Sequence, residues 1–348
     1  MQTDNPSFPV AIVILNWNGL HFLKLFLPTV IALSPHAEII IADNASTDES
    51  VNWMKEHHPH LRIISLPVNM GFAGGYNAAL KQVNADIYVL LNSDVLVTEG
   101  WLQPVIELMK SNSAIAACQP KIKSYADRHL LEHAGGAGGF IDYLGYPFCR
   151  GRIYTTLEED HKQYDTVSEV FWATGACLFI RSDAFHKCNG FDEDFFAHME
   201  EIDLCWRLQH RGYKIMVQPA AEVFHVGGGT LPKTSPHKTY LNFRNNLLMI
   251  HKNLDDREWF KVFMIRLFMD GLAGFKFLIS GHPADCLSVI KAHFYFYSNY
   301  KRRKSIRKKE QQLITTKIIA GIYKRSIVFD YYLYGKKFFS QLKGKFSS

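Results

Sequence analysis

Several things are missing from this chain, and each absence removes a class of protein. Its six cysteines, Cys118, Cys149, Cys177, Cys188, Cys205 and Cys286, include no Cys-x-x-Cys pair. That argues against a disulfide or zinc framework and for reduced thiols. The first residues lack a basic region, and the apolar run Val10–Leu15 is too short for a secretion signal, so a cytoplasmic location is expected. No Gly-x-Gly-x-x-Gly follows that run. The turn reads Asn16-Trp17-Asn18-Gly19-Leu20, with a single glycine, which sets aside a dinucleotide-dependent dehydrogenase. No repeat or low-complexity linker is present. The most apolar stretch, Trp259–Ile279, is interrupted by Lys261, Arg266, Asp270 and Lys276. Each such charge costs about 2.5–3.5 kcal/mol at a bilayer centre, so the stretch is not expected to span.

What remains is a globular composition. Hydrophobic residues make up 47% of 348, enough to bury a sizeable core over about two domains. The net charge of +6 is unevenly placed. Residues 301–348 hold 14 Lys and Arg against Glu310 and Asp330, so that segment carries +12 and the first 300 residues carry −6. An acidic body argues against wrapping nucleic acid, and a basic, aromatic tail suits an anionic membrane surface.

The first hundred residues alternate. Val10–Leu15, Glu38–Ala42, Arg62–Leu66 and Ile87–Leu91 read as buried strands. Between them Leu20–Leu33, a stretch from Asp48 and Gly75–Val83 read as helices. This pattern predicts βαβ units and a parallel sheet covered on both faces, with the loops after the strands gathered along one edge, where ligands bind. Four strand ends carry amides and acids to that edge: Asn16 and Asn18, Asp43 and Asn44, Asn69 and Gly71, Asn92 and Asp94. Asp43, Asn44, Ser46 and Asp48 also suit Asx turns and a helix cap, and the expectation is that Ser46 or Asp48 caps while Asp43 faces ligand. Farther on, Phe171–Arg181 reads as a buried strand and His198–Arg211 as a helix ended by Gly212.

The strings from Val10 to Gly19, from Ile41 to Asp48, from Asn69 to Asn77 and Leu90-Leu91-Asn92-Ser93-Asp94 resemble the inverting glycosyltransferases of family 2, in particular a bacterial rhamnosyltransferase-like branch. The resemblance covers about residues 8–250. It implies an α/β GT-A fold with a mostly parallel central sheet flanked by helices, a nucleotide-binding half at 8–112 and an acceptor half at 113–250. Residues 251–348 are expected to form a helical, aromatic and basic extension. The implied activity is transfer of a sugar from a nucleoside diphosphate sugar to a saccharide or lipid-linked hydroxyl in bacterial surface polysaccharide synthesis. Asn16, Asn18, Asp43, Asn44, Asn69, Gly71, Gly74, Asn77, Asn92 and Ser93 would hold the donor.

Charge building on a leaving diphosphate calls for a cation, and hard ligands suit Mg²⁺ or Mn²⁺. The family's Asp-x-Asp motif falls on Asn92-Ser93-Asp94, where the first acid is replaced, and implies Asp94 as a metal ligand. The other reading of Asp94 is a structural one, as a cap of the turn before Glu99. His225, in Val223-Phe224-His225-Val226-Gly227-Gly228-Gly229, reads by itself as a core histidine, whereas the resemblance returns it to the metal. Its glycines suit either a phosphate cradle or a mobile loop.

The acidic segment from Gly190 to Arg207 resembles the family's catalytic segment, with Glu200 and Glu201 at its acidic pair and Glu201 in the position of the base. Glu201, Leu204, Cys205 and Leu208 share a helix face, so the carboxyl starts an apolar stripe and its pKa is expected to rise. Glu200 also suits the helix N-terminus, and Asp203 with Arg207 reads as an i, i+4 ion pair. Trp172, Gly175 and Ala176 are implied on the acceptor side, with plain core as the other reading of Trp172. Arg244, beside Asn245, is placed to reach the diphosphate.

For the tail, a helix lying in the membrane interface with Lys301–Lys309 on headgroups is expected, giving peripheral attachment to the inner face of the cell membrane. The other reading is a helical subdomain packed on the core. A non-catalytic sugar-nucleotide scaffold on the same fold is the second functional reading.

Overall fold

A computed structural model describes residues 8–132, 135–227, 235–342 and 346–347. Gly228 and Gly229 of the expected cradle lie outside these residues. The alternation predicted from the sequence is present: β1 (Val10–Asn16), α1 (Leu20–Ala32), β2 (Glu38–Asp43), α2 (Ser50–His57), β3 (Arg62–Ser65), α3 (Gly71–Leu80) and β4 (Ile87–Asn92). Strands β3, β2, β1 and β4 pair in parallel in that order. Successive residues of β1 enter opposite cores, Ala11 and Val13 on one side and Ile12 and Ile14 on the other. Such strands are apolar throughout because both faces are covered.

The chain continues through β5 (Val95–Val97), α4 (Gln103–Ser111) and β6 (Ile115–Ser124). After these come four short strands, β7 (Gly139–Asp142), β8 (Pro147–Cys149), β9 (Arg152–Ile153) and β10 (Thr156–Leu157). Then follow β11 (Ser168–Glu169), β12 (Cys177–Arg181), α5 (Ser182–Lys187), α6 (Glu200–His210) and β13 (Lys214–His225). Beyond β4 the central sheet becomes mixed: β12 is antiparallel to β4 and to β6, and β13 runs parallel to β6. The strand expected over Phe171–Arg181 therefore starts only at Cys177. Phe171 and Trp172 instead bond Gly139, where β7 leads into the second sheet. Helix α6 starts at Glu200 and not at His198, because His198 and Met199 have φ of +71° and +72°, outside the helical region.

The remaining elements are α7 (Pro236–Asn253), α8 (Asp256–Ile279), α9 (Pro283–Ser298), α10 (Tyr300–Gln311), β14 (Ile322–Tyr323) and α11 (Ile327–Tyr332). Residue 250, the expected domain boundary, falls inside α7. The C-terminal segment also shares the core of the body: Ile319, Tyr323, Ile327 and Leu342 belong to one apolar cluster with residues of β7, β8 and α6. Strand β14 adds to the small sheet beside β7. Residues 251–348 thus pack on the rest and complete one of its sheets.

Candidate active site

A cleft of about 800 Å³ opens along the carboxyl ends of β1 and β4. Its walls include Asn18, Asn44, Asn69, Gly71, Asn92, Ser93 and Asp94 from the strand-end loops, Gly175 and Ala176, Glu200 and Glu201 from α6, and His225 from β13. The rim of amides is cross-linked from within. Asn44 Nδ2 donates to Asn69 Oδ1 and to the Gly71 carbonyl, each at 3.0 Å, while its Oδ1 accepts from Met70 N. Asn18 Oδ1 accepts from the backbone of Thr47 and Asp48. Gly19 sits so close that a Cβ there would lie 2.4 Å from Asn16 Oδ1, so a side chain at this position would have to displace the Asn16 amide.

Five expected site residues are not among those lining this cleft. Asn16 and Asp43 are register partners in neighbouring strands, and Asn16 Nδ2 donates to Asp43 Oδ1 at 3.2 Å behind the cleft floor. Asp43 also accepts from Ser46 N at 3.1 Å. Both are nearly fully buried, which corrects the expectation that Asp43 faces ligand. Gly74 packs against Met70. Asn77 exchanges two hydrogen bonds with the Phe191 backbone and ties α3 to the acidic segment. Arg244, expected on the diphosphate, donates instead to the carbonyls of Asp194 and Phe195 at 2.8 and 2.9 Å. A sixth residue, Trp172, leaves the main cleft for a smaller cavity described below.

The reason for Arg244's placement is the loop before α6. Phe196, His198 and Met199 all have φ between +60° and +75°, a left-handed conformation that costs bulky residues energy. Its carbonyls cannot point into a regular ladder. Asn245 Nδ2 lies 2.7–2.9 Å from Phe195 O, Ala197 O and His198 O, and Arg244 donates to Asp194 O and shares Phe195 O. This pair from α7 holds the loop in the shape that turns Glu200 and Glu201 toward the cleft.

Both glutamates keep one oxygen, Oε2, buried and without a hydrogen-bond partner. Burial raises the Glu201 pKa to about 7, against backbone hydrogen bonds that lower it. Burial, with the adjacent Glu201 charge, pushes Glu200 well above the carboxylate range. Glu201 also borders a second cavity, of about 210 Å³, lined by Trp172, Tyr154, Arg152, His198 and Asn242. There the Trp172 ring lies against Gly139, whose added Cβ would meet it at 2.1 Å, and its Nε1 donates to Phe140 O at 2.9 Å. It is largely a core side chain with an edge on this smaller cavity.

On the opposite wall, His225 Nε2 lies 3.2 Å from Asp94 Oδ1 and Nδ1 lies 3.2 Å from Glu132 Oε2. Burial opposes charge on the ring, but the two carboxylates prevail and raise its pKa to about 10. Burial likewise opposes ionisation of Asp94, and His225 outweighs it, so Asp94 is held below its ordinary value. Among the described residues no group of three or more acidic, histidine or cysteine side chains converges on one point as a metal cage. Asp94 offers a carboxylate oxygen and His225, once its Nε2 proton is given up for the cation, an imidazole nitrogen facing it in the cleft, a pair that fits Mg²⁺ or Mn²⁺ when phosphate and water supply the rest.

Glu132, Arg152 and His198 are lining residues that sequence reasoning missed. Glu132 stands just before the Gly-rich stretch 135–139, the one local hint of a special backbone there.

The family model for glycosyl transferase family 2 matches residues 11–187. The N-acetylglucosaminyl-diphospho-decaprenol L-rhamnosyltransferase of Mycobacterium tuberculosis is 26% identical over 223 residues, 60% of this chain and 72% of that one. The rhamnosyltransferase WbbL of Escherichia coli is 27% identical over 227 residues, covering 62% and 83%. Among solved structures, GalNAc-T7 with UDP, GalNAc and Mn²⁺ superposes with a TM-score of 0.56 at 14% identity, over 73% of this chain and 49% of that one. TarS 1–349 of S. aureus with UDP-GlcNAc gives 0.51 at 14%, over 87% and 91%. These likenesses establish the GT-A fold.

Proposed function

The chain belongs to glycosyl transferase family 2, and from that premise we propose that it moves a sugar, with inversion, from a nucleoside diphosphate sugar to a hydroxyl of a lipid-linked saccharide. The product would belong to a bacterial cell-surface polysaccharide, and the reaction would run at the cytoplasmic face of the cell membrane. The two rhamnosyltransferases it resembles favour a deoxyhexose donor.

The observation that carries this reading is the position of Glu201, which borders the large cleft and the small cavity together. A donor in the first and an acceptor in the second would meet at its carboxylate. In the step proposed, the acceptor oxygen attacks the anomeric carbon as the bond from that carbon to the diphosphate oxygen breaks. Glu201 takes the hydroxyl proton, and a pKa near 7 suits it to do so at neutral pH. The nucleoside diphosphate leaves. Asn18, Asn44, Asn69, Gly71, Asn92 and Ser93 would surround the donor. Asp94 and His225 would hold Mg²⁺ or Mn²⁺, which supplies positive charge against the departing diphosphate. The edge of Trp172 would border the acceptor in the small cavity, with Arg152 beside it, whereas Gly175 and Ala176 line the large cleft on the donor side.

The test pairs donor and product. Thermal unfolding with UDP-, GDP- and dTDP-sugars in the presence of Mn²⁺ should show stabilisation by one donor class. With a polyprenyl diphosphate saccharide, that donor should give a product of opposite anomeric configuration by NMR. Transfer with retained configuration, or no transfer from any stabilising donor, would overturn the proposal.

A further inference from the structure

Helix α8 is built inside out. Its inner face carries Arg266 and Asp270, at 2% and 0% exposure, while its outer face carries Phe260, Phe268 and Phe275 at 69%, 66% and 58%. In an ordinary surface helix the polarity is the reverse. The inner charges are fully engaged. Arg266 bonds Asp270, Asn246 and the Leu144 carbonyl and lies 3.9 Å over the Tyr146 ring, and Asp270 meets His293 Nε2 of α9 at 3.1 Å. Burying them fixes the hairpin of α8 and α9 to the body and leaves the apolar side outward.

That outward side is continuous. Exposed apolar residues recur on α8 from Phe260 to Ile279, about 28 Å of helix at 1.5 Å per residue. Helix α9 adds Leu287, Ile290 and Phe294 at i, i+3 and i+7, the last 66% exposed. Both stripes point away from α7, against which the hairpin packs. Soluble monomers rarely leave so large an apolar patch to water.

We infer that the α8–α9 hairpin is a membrane-docking face that lies in the headgroup region of an anionic bilayer with its phenylalanines among the acyl chains. Among the described residues no helix is long and apolar enough to cross a membrane, so the hairpin lies on the surface. Charge selects the occupant. Lys261 and Lys291 are exposed at the borders of the stripes, and Lys304, Lys308 and Lys309 are exposed on α10, which follows directly. A second copy of this chain would set these cations against one another, whereas anionic headgroups complement them. The expectation from the sequence that the whole run Lys301–Lys309 meets headgroups is corrected. Arg303 and Arg307 are buried in ion pairs with Asp192, Asp194 and Asp256, so the apolar hairpin carries the docking and only the remaining cations assist.

The face also lies close to the acceptor side. Helix α7 separates the two: His237, Lys238 and Asn242 on it line the cleft, and Thr239 Oγ1 donates to Asp285 of α9 at 2.6 Å. Helix α7 and the hairpin itself, two helix layers or roughly 20 Å, stand between cleft and bilayer. A lipid-borne acceptor would then reach the small cavity without leaving the membrane. This last link rests on the transferase reading, while the docking itself does not.

Flotation of the full chain with vesicles of phosphatidylglycerol and phosphatidylethanolamine, without donor or acceptor, tests the docking separately from catalysis. The wild type should float and should stay bound in part at high salt, because the apolar insertion is not screened. The combined variant Phe268→Glu, Phe275→Glu, Phe294→Glu should lower the partition coefficient by about a hundredfold or more. Its thermal unfolding and its transfer to a water-soluble acceptor should be unchanged. A Phe268→Trp variant should be quenched by brominated lipid. Three results would overturn the inference: flotation of the triple variant equal to the wild type, complete loss of wild-type binding at high salt, or a lipid-free dimer in sedimentation that the triple variant abolishes.

Discussion

Glu132 stands 3.2 Å from Nδ1 of His225, on the side of the ring turned away from Asp94. A carboxylate there keeps the Nδ1 proton in place when Nε2 gives up its own for a metal and sets which way the ring points, the usual support for a metal-binding histidine. Gly227 makes the contact possible, since a Cβ at that position would lie 2.8 Å from Glu132 Oε1. Glu132→Gln is therefore expected to weaken the apparent Mn²⁺ affinity about 10–100-fold, with a much smaller change in kcat at saturating Mn²⁺. Metal titrations of the transfer rate separate the two quantities. An unaltered Mn²⁺ dependence would show that Glu132 does not act through His225.

Glu201 pits function against stability. Its folded pKa of about 7 lies above the ordinary 4.5, so the folded state binds the extra proton between those values. Stability linked to this group is complete below the unfolded value and is lost as pH rises through 7. Glu201→Gln removes the buried charge. It is expected to stabilise the protein at pH 8 by something on the order of 1–3 kcal/mol and to leave stability at pH 4 nearly unchanged, as followed by thermal unfolding. Transfer should be abolished while donor binding persists. In the wild type, kcat should rise with pH and reach half its plateau near pH 7. A profile that falls across this range would exclude Glu201 as the base.

Much of this geometry was legible in the chain, and what was not has a physical cause. The alternation of aliphatic runs and amphipathic stretches gave away β1 to β4, and the amides at their ends mark the cleft rim. Asp43 was misplaced because a strand-end acid looks the same from sequence whether it faces ligand or a lateral neighbour. Only the register Asn16 to Asp43 distinguishes the two. Arg244 was misread because the demand it answers, a loop of left-handed residues with unsatisfied carbonyls, lies some fifty residues earlier. Nor does a basic run announce which of its members fold inward: Arg303 is 2% exposed and its neighbour Lys304 is on the surface.

Asn245 offers a direct test of the loop. One amide nitrogen shares its two N–H donors among three carbonyls of a backbone that is strained at Phe196, His198 and Met199. Asn245→Ala leaves the Ala197 and His198 carbonyls without this donor, at about 1–3 kcal/mol each before relaxation, while Phe195 O keeps Arg244. The loop is expected to relax, and Glu201 to lose its orientation. Transfer should drop at least about tenfold even at temperatures where the variant remains folded. Donor affinity, read by thermal stabilisation, should change far less, because the amide rim is untouched. Equal loss of both would mean that the substitution acts through global unfolding.

Arg303 connects the C-terminal helices to the same loop. It pairs with Asp192 and Asp194, and Lys252 joins Asp192 to Asp203 at the heart of α6. Burial works against the Asp192 charge, but Lys252 and Arg303 prevail and hold its carboxyl well below the usual range. Stability from such a group is present above the unfolded pKa and is lost as pH falls through the folded value. Arg303→Ala strips one cation from this buried network and is expected to cost about 3–5 kcal/mol near pH 7. The difference from wild type should shrink once Asp192 protonates in the variant and reach its minimum only in strong acid, where Asp192 protonates in the folded wild type as well. Exposed Lys304→Ala should change neither stability nor transfer, and Arg303→Lys should recover part of the loss. A deficit in Arg303→Ala that stays constant as pH falls from 7 until wild-type Asp192 itself protonates would show that lost packing, and not the charge on Asp192, is what the arginine supplies.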